Sequence, residues 1–261
     1  MTKRALAKTV AAWRKKGLSV GFVPTMGALH AGHGALVRRA AAENDRVVVS
    51  VFVNPLQFGP NEDYGRYPRA LPADRRLVAA AGASLVYAPS VREMYPEGFR
   101  THVEVEGISD LHCGKYRPGH FRGVATVVLK LFNQVRPDRA YFGEKDYQQV
   151  TILERMVRDL DVPVSIVRVP TVREKDGLAL SSRNAYLTPE QRRAAPSLRL
   201  ALRAGGEKAV RKALKGTGLR LQYAHLVDAD TLLPPTRKTR RRRLLAAAYL
   251  GKTRLIDNVA A

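Results

Sequence analysis

Two apolar runs near the start of the chain, with a helical pattern between them, constrain its fold more than any other feature. Residues 18–23 (LSVGFV) are apolar and partly β-branched and end at Pro24, whereas residues 35–42 carry helix formers, so this segment predicts a strand, a turn and a helix. Residues 46–53 (RVVVSVFV) are almost continuously apolar, as in strands buried on both faces of a parallel sheet. The chain therefore begins like an α/β protein.

The alternation of strands and helices continues along the chain. Further helices are predicted over residues 3–16, 72–81, 124–135 and 147–160, and further strands over residues 84–88, 139–142 and 164–169. Such alternation with short connections predicts a doubly wound, Rossmann-like parallel sheet. After Pro170 the pattern changes, with a helix that begins at Pro189 and strands over residues 221–227, 244–250 and 253–259. We therefore predict two domains, residues 1–170 and a smaller α+β domain over residues 171–261.

Composition favours a globular protein of the cytoplasm. With 261 residues, of which 45% are apolar, the chain can bury a substantial core. No apolar run is long enough to span a bilayer, and charged residues interrupt the N-terminal segment where a signal peptide would have its apolar core. The single Cys113 cannot form an internal disulfide, which suits a reducing compartment. We expect a cytoplasmic protein with no membrane partner.

The basic composition raises a different possibility, a nucleic-acid-binding protein. The net charge is +22, and residues 199–254 contain 15 Lys and Arg against 3 Asp and Glu. Sequence-tolerant binding of single strands also needs aromatic platforms among the basic residues, but this window offers only Tyr223 and Tyr249, both inside predicted strands. We therefore expect a solvated basic face, with weak, salt-sensitive adsorption and no specific nucleic acid partner.

His30 and His33 stand at the turn between the first predicted strand and helix. A spacing of three residues places both imidazoles on one side of the first helical turn, where free backbone N–H groups and the helix dipole favour an anion. One histidine could instead cap the helix while the other is merely exposed. The small residues around the pair, among them Gly27, Ala31 and Gly32, leave room for a ligand to approach the backbone. We therefore expect a phosphate site.

Other polar residues follow predicted strands and could belong to the same site. Lys145 stands between two acidic residues, and residues 180–183 (LSSR) combine hydroxyl groups, N–H donors and a guanidinium. A surface ion-pair cluster and an ordinary polar loop are the alternatives. Gln57 and Gln149 could be surface amides, but their positions after predicted strands would aim them into the crevice at the carboxyl ends of a parallel sheet.

Four blocks of the sequence resemble those of the pantothenate synthetases, the pantoate–β-alanine ligases. The blocks are PTMGALHAGH (residues 24–33), FVNPLQFG (52–59), RPD with FGEKDYQQ (136–138 and 142–149) and SSRN (181–184), and TRLIDN (253–258) is a fainter match. The His-x-Gly-His element is shared with the wider superfamily of nucleotidylyltransferases and class I aminoacyl-tRNA synthetases. The four blocks together are specific for the one family.

The resemblance implies an ATP-dependent condensation of D-pantoate with β-alanine in two steps. Pantoate attacks the α-phosphate of Mg-ATP to give pantoyl adenylate and pyrophosphate, and β-alanine then displaces AMP to give pantothenate. Because charge develops on phosphate oxygens, such a site needs preorganised donors more than an embedded nucleophile. The resemblance also implies a homodimer.

The resemblance further assigns residues to this site. It implies that His33, His30 and Lys145 are catalytic, with His33 in the proton-donor position. The implied ATP-binding residues are Met26, Gly27, Ala28, Leu29, His30, Ala31, Gly32, His33, Gly143, Glu144, Lys145, Asp146, Val172, Leu180, Ser181, Ser182 and Arg183. The implied pantoate and β-alanine site consists of Gln57, Gln149, Asn54, Arg117 and His120. Asp74 is a candidate ligand of Mg²⁺, although the triphosphate is expected to bind most of the ion by itself.

The chain departs from the family pattern in three places. Gly34 replaces a larger apolar residue, which favours a looser first helix, and Leu180 replaces a common Met at nearly unchanged volume. The second domain is shorter and more basic than the family leads us to expect.

The alternative within the superfamily is an enzyme that adenylates a phosphorylated intermediate of the pantothenate pathway or nicotinamide mononucleotide. That enzyme would need the histidine pair but neither Gln57 nor Gln149.

Overall fold

The first part of the chain folds into a five-stranded parallel sheet. The structure is a computed structural model that describes residues 1–60 and 62–261. The strands are β1 (Val20–Thr25), β2 (Arg46–Val51), β3 (Leu85–Tyr87), β4 (Arg139–Gly143) and β5 (Ser165–Val169), in the order β3-β2-β1-β4-β5. The direction of winding reverses between β1 and β4, which leaves a crevice at the carboxyl ends of these two strands. The predicted Rossmann-like sheet is confirmed.

Helices cover both faces of this sheet. They are α1 (Lys3–Lys15), α2 (Ala31–Glu43), α3 (Leu71–Ala80), the short α4 (Val91–Met94), α5 (His120–Val135) and α6 (Tyr147–Asp159). On one face, α1, α5 and α6 share an apolar cluster in which Phe22 of β1 meets Phe132 of α5, with ring centroids 6.2 Å apart. On the other face, Val37 of α2 and Val78 of α3 belong to a separate cluster.

The central strands supply apolar side chains to both clusters. Successive side chains of a strand point to opposite faces, so Val48 of β2 joins the cluster around α5 whereas Val47 and Val49 join the cluster around α2. This explains why residues 46–51 are apolar almost without interruption, as the sequence predicts for a strand buried on both faces.

The last part of the chain forms a smaller antiparallel sheet. Its strands are β6 (Arg220–Asp228), β7 (Arg242–Leu250) and β8 (Thr253–Ala260), with β7 in the centre, and the preceding helices are α7 (Pro189–Ala194), α8 (Ser197–Arg203) and α9 (Glu207–Ala213). Leu244 and Ala246 of β7 pack in the cluster formed with α8 and α9. Leu245 and Ala247 lie in another cluster with Tyr147 of α6, so the antiparallel sheet packs against α6 with its other face.

A few elements differ from the prediction. β1 continues through Pro24, whose missing N–H is tolerated because β4 pairs with β1 at Gly21 and Phe22, before the proline. α5 begins at His120 instead of residue 124, after Gly119 in the left-handed conformation (φ 75°). α9 lies in a Gly- and Lys-rich stretch for which no helix was predicted, and the fully buried Val210 anchors it.

Other predictions meet the structure as follows. α2 runs through Gly34 without a break. The parallel sheet ends with β5 at Val169, and the antiparallel sheet starts with β6 at Arg220. The predicted domain boundary at residue 170 lies between the two sheets and stays a prediction. Within residues 1–60 and 62–261, none of the helices has both the length and the apolar composition that crossing a bilayer requires.

Candidate active site

A cavity of about 240 Å³ lies in the crevice at the carboxyl ends of β1 and β4. Thr25 and Gly143, the last residues of these strands, are in its lining. The predicted site residues that line it are Met26, His30, Gly32, His33, Asn54, Gln57, Arg117, His120, Gly143, Lys145, Asp146, Gln149, Val172, Leu180, Ser181, Ser182 and Arg183. The predicted residues outside this lining are Gly27, Ala28, Leu29, Ala31, Asp74 and Glu144. The fold thus places the residues predicted for phosphate and for pantoate around one cavity.

The two histidines cap helix α2 and line the cavity at the same time. His30 is the N-cap residue, and its Nδ1 accepts the backbone N–H of Gly32 at 3.2 Å. The Nδ1 of His33 accepts the backbone N–H of His30 at 3.3 Å, and the ring centroids are 4.2 Å apart. Since Nδ1 acts as an acceptor in both rings, a neutral ring carries its proton on Nε2. Each histidine therefore has one N–H donor left for a ligand.

Both histidines are neutral at physiological pH. Burial, together with the positive charge of Lys145, lowers the pKa of His30 to about 4. Burial also lowers the pKa of His33 to about 3, with smaller contributions from His30 and Lys145. The positive charge that an anionic ligand needs must therefore come from neighbouring Lys and Arg side chains, while the imidazoles donate hydrogen bonds.

Asp74 holds the turn that leads into the histidine pair. Its side chain is buried in α3, and its two oxygens accept the backbone N–H groups of Ala28 at 3.1 Å and Leu29 at 2.8 Å. Ala28 has a φ of 52°, a left-handed conformation that an alanine seldom adopts without support. Both oxygens of the Asp74 carboxylate therefore already accept hydrogen bonds. The contact of Asp74 with Mg²⁺ stays a prediction.

Gln57 lies in the loop after β2 with its side chain fixed by neighbours. Asn54 donates its Nδ2 to the Oε1 of Gln57 at 3.0 Å, and the Nε2 of Gln57 lies 3.1 Å from the sulfur of Met26. The Oδ1 of Asn54 accepts the hydroxyl of Tyr95 at 2.7 Å. Gln57 is 8% exposed and Asn54 is 1% exposed, so this is a buried amide pair at the cavity wall and not the surface amide of the alternative hypothesis.

Arg117 and His120 contact each other at the start of α5. Arg117 Nη1 donates to His120 Nε2 at 2.8 Å, and His120 Nδ1 donates to the backbone carbonyl of Gln57 at 2.7 Å. Burial and the charge of Arg117 lower the pKa of His120 to about 3, so this ring is also neutral. Both side chains thus bind protein groups, and their predicted contact with a substrate stays a prediction.

Lys145 and Asp146 follow β4 and form an ion pair at the cavity. The Nζ of Lys145 lies 3.5 Å from the Oδ2 of Asp146, and the Lys145 side chain is 19% exposed. Burial would raise the pKa of Asp146, but the charges of Lys145 and Arg183 outweigh it and hold the pKa below its ordinary value. The Asp146 carboxylate is therefore charged in the neutral pH range.

Strand β8 of the antiparallel sheet fixes the backbone of this segment. Asn258 of β8 donates its Nδ2 to the carbonyls of Glu144 at 2.9 Å and Lys145 at 3.0 Å. Its Oδ1 accepts the Nε of Arg243 at 2.7 Å, and the Arg243 guanidinium lies 4.2 Å from the ring centroid of Tyr147. Asn258 was not predicted as a site residue, although the faint match over residues 253–258 includes it.

Residues 180–183 form the opposite wall of the cavity. The backbone N–H of Leu180 donates to the carbonyl of Val172 at 3.0 Å. Arg183 forms a two-point ion pair with Asp63, through Nη2 to Oδ1 at 2.8 Å and Nε to Oδ2 at 3.1 Å. The hydroxyls of Ser182 and Tyr67 are 3.1 Å apart. The loop is thus tied to the segment between β2 and α3.

A second cavity of about 540 Å³ adjoins the first and lies between the two sheets. The residues that line both cavities are Arg117, His120, Lys145, Asp146, Gln149, Ser181 and Arg183. Its other wall includes Lys252 and Arg254 next to or within β8. The cleft therefore extends from the strand ends into the space between the two sheets, with the size of an ordinary ligand site.

The smaller cavity has an apolar wall that the sequence did not predict. Phe52, Val124, Val128 and Leu131 line it, as does Tyr67. A helical apolar pattern does not distinguish side chains that face a cavity from side chains that face the core, so these positions on α5 could not be separated from the core.

Among the described residues, His, Cys, Asp and Glu form no cluster of three or more that could hold a metal ion.

Comparison with known proteins gives one consistent family. The family model described as pantoate-beta-alanine ligase matches residues 1–260. The pantothenate synthetase of Moorella thermoacetica is 56% identical over 272 residues, which cover 99% of this chain and 96% of that protein.

Two solved structures extend this likeness to the fold. A pantothenate synthetase from Thermus thermophilus superposes with a TM-score of 0.90 at 55% identity, covering 96% of each chain. A pantoate-beta-alanine ligase from Francisella tularensis, complexed with beta-gamma ATP and beta-alanine, superposes with a TM-score of 0.87 at 38% identity and covers 99% of this chain and 95% of that one.

Proposed function

Because this chain belongs to the pantoate–β-alanine ligase family, we propose that it condenses D-pantoate with β-alanine at the expense of ATP, through a pantoyl adenylate. The observation that carries the proposal is that two kinds of side chain line the same cavity. Donors suited to phosphate, from His30, His33 and Lys145, share it with the amide side chains of Gln57 and Gln149. A superfamily member that only transferred an adenylyl group to a phosphorylated acceptor would have no need of the two amides.

In the first step, a carboxylate oxygen of pantoate attacks the α-phosphorus of ATP and pyrophosphate leaves. Negative charge grows on the phosphate oxygens, and the Nε2–H groups of His30 and His33 are preorganised donors for that charge. Lys145 supplies the positive charge that the neutral imidazoles lack. Gln57 and Gln149 orient the pantoate so that its carboxylate faces the phosphorus.

In the second step, the neutral amine of β-alanine attacks the acyl carbon of the adenylate. The bond from that carbon to the bridging oxygen breaks, and AMP leaves with one oxygen of the original pantoate carboxylate. The product is the amide, and the amine proton is released. The apolar side chains of Phe52, Val124 and Leu131 in the cavity wall disfavour water, which would otherwise hydrolyse the adenylate.

Magnesium enters this proposal as part of the substrate Mg-ATP. The described residues offer no cluster of acidic or histidine ligands for a resident ion, and the oxygens of Asp74 hold backbone N–H groups. A magnesium ion that keeps several waters and binds mainly to phosphate oxygens fits such a site.

On the family resemblance alone, we also propose a homodimer, which light scattering at micromolar concentration tests.

The experiment is an incubation of the purified protein with ATP, Mg²⁺, β-alanine and D-pantoate labelled with ¹⁸O in its carboxylate. We expect AMP and pyrophosphate, with one ¹⁸O atom in the AMP. Phosphate and ADP as products would contradict the adenylate, and no turnover of pantoate would contradict the ligase. Pyrophosphate release with nicotinamide mononucleotide in place of pantoate would favour the other superfamily activity.

A further inference from the structure

Glu62 lies in the loop between β2 and α3 and holds the guanidinium of Arg117. Its Oε1 accepts Arg117 Nε and its Oε2 accepts Arg117 Nη2, both at 2.6 Å. The pair is mostly buried, with side chains 14% exposed for Arg117 and 25% exposed for Glu62. Burial opposes the charge of Glu62, but the guanidinium outweighs it and holds the pKa of Glu62 below its usual value. The carboxylate therefore stays charged and paired.

The same guanidinium also forms a hydrogen bond with the backbone of Gln57. Arg117 Nη2 donates to the Gln57 carbonyl at 3.3 Å, and Arg117 Nη1 donates to His120, which donates to that carbonyl in turn at 2.7 Å. The carbonyl thus accepts two hydrogen bonds from side chains whose orientation depends on Glu62. Planar two-point pairing fixes the direction of a guanidinium as well as its position.

Helix α5 holds the same stretch of backbone from the other side. A Cβ atom at Gly123 would lie 2.2 Å from the Leu56 carbonyl oxygen and 2.7 Å from the Gln57 backbone nitrogen, so the helix touches the loop at a position where only glycine fits. Asn54 Nδ2 donates to the Gly123 carbonyl at 3.0 Å. The Gln57 backbone is thus held at its nitrogen by packing against α5 and at its carbonyl by hydrogen bonds. Because the hydrogen bonds at the carbonyl depend on Arg117, a change in the Glu62–Arg117 pair is the way in which this backbone can shift.

We propose that Glu62 is a positioning residue for Gln57, acting through Arg117 and His120, and that it thereby sets the affinity of the site for pantoate and β-alanine. The inference rests on the proposed function of Gln57. Loss of the carboxylate would leave a buried guanidinium without its counter-ion, and such a group turns to another acceptor. The carbonyl of Gln57 would then lose one or both donors, and its side-chain amide would move relative to the cavity.

The test compares Glu62→Gln with Glu154→Gln in the full-length protein. Glu154 pairs with Arg168 in the same two-point manner, at 2.7 and 2.5 Å, with similar exposure. Neither Glu154 nor Arg168 lines either cavity, whereas Glu62 and Arg117 line the larger one. We expect Glu62→Gln to raise the KM for pantoate or β-alanine about tenfold or more, as misplacement of a substrate-orienting group does, with the KM for ATP within about twofold of the wild type. Glu154→Gln should lose similar stability in urea and keep all three KM values.

A double-mutant cycle shows whether Glu62 acts through Gln57. In a Gln57→Ala background, where no amide remains to be positioned, Glu62→Gln should cause no further loss of kcat/KM. Independent, multiplicative losses, or a KM effect confined to ATP, would overturn the inference. An active wild type with an unaffected Glu62→Gln variant would refute the inference alone, whereas an inactive wild type would refute the proposed function.

Discussion

The side-chain amide of Asn258 donates a hydrogen bond to the backbone carbonyl of Lys145, 3.0 Å away. This contact joins β8, the last strand of the antiparallel sheet, to the segment that carries the cation of the proposed phosphate site. Asn258→Asp keeps the acceptor for Arg243 but replaces the donor with an oxygen that faces two carbonyls. We expect kcat/KM for ATP to fall by about tenfold to a hundredfold because Lys145 is displaced. Asn133→Asp, at an exposed position of α5, is the control for added charge and should leave kcat/KM unchanged.

The two roles of His33 can be separated by substitution. His33→Asn offers an oxygen that can accept the backbone N–H of His30, so the helix cap is kept, but the Nε2–H donor is lost. We expect kcat to fall on the order of 10²–10³-fold, as for loss of one preorganised donor, with little change in the melting temperature. His33→Ala should lose the same activity and also some stability. Near-normal kcat in His33→Asn would assign the residue to capping alone.

Asp74→Asn distinguishes support of the turn from magnesium binding. An amide has one oxygen for the two N–H donors of Ala28 and Leu29, so the left-handed turn before His30 should loosen. We expect a lower kcat, measured by AMP release, that raising Mg²⁺ from 1-fold to about 10-fold over ATP does not restore. Restoration of the wild-type rate by excess Mg²⁺ would instead identify Asp74 as a ligand of the ion.

Acid should destabilise this protein through the histidines whose pKa values are lowered in the folded state. Burial lowers the pKa of His30 to about 4 and the pKa values of His33 and His120 to about 3, whereas histidine in an unfolded chain titrates near 6.5. Between these values the unfolded chain binds more protons than the native one, so the stability that the neutral rings provide is complete above pH 6.5 and is lost as the pH falls. Urea unfolding at pH 7.5 and 5.0 should show this decrease. His33→Asn, which binds no proton here, should show a weaker pH dependence, and an equal dependence would contradict the assignment.

The basic surface of the second domain should bind nucleic acid only weakly. Arg237, Lys238 and Arg240 lie in the exposed connection between β6 and β7, whereas Arg243 contacts Asn258 and must be left intact. A fluorescence-anisotropy titration with RNA at about 0.15 M salt should give weak binding without sequence preference. Changing the three exposed residues to Gln should reduce that binding and leave the ligase activity unchanged. Submicromolar, sequence-selective binding would show that nucleic acid is a genuine partner.

The sequence by itself determined strands β1 to β8, most of the longer helices and many of the polar residues that line the cavity, but not α4, α8 or α9. The apolar run over residues 46–51 and the turn with His30 and His33 are local patterns, and local patterns follow from the periodicity of the backbone and from free groups at a helix end. The resemblance of the four motif blocks predicted Gln57, Lys145 and Arg183 for one site. Gln57 and Lys145 follow β2 and β4, and a parallel sheet brings the carboxyl ends of its strands to one edge.

Only the tertiary structure decided what holds those residues in place. Asp74 binds the turn at Leu29 from 45 residues away, Glu62 binds Arg117 from 55 residues away, and Asn258 binds Lys145 from 113 residues away. No periodicity links such pairs, because a carboxylate or an amide is equally compatible with solvent and with a distant partner until the chain is packed. Their contacts depend on burial, which removes water as the competing partner and makes each hydrogen bond necessary.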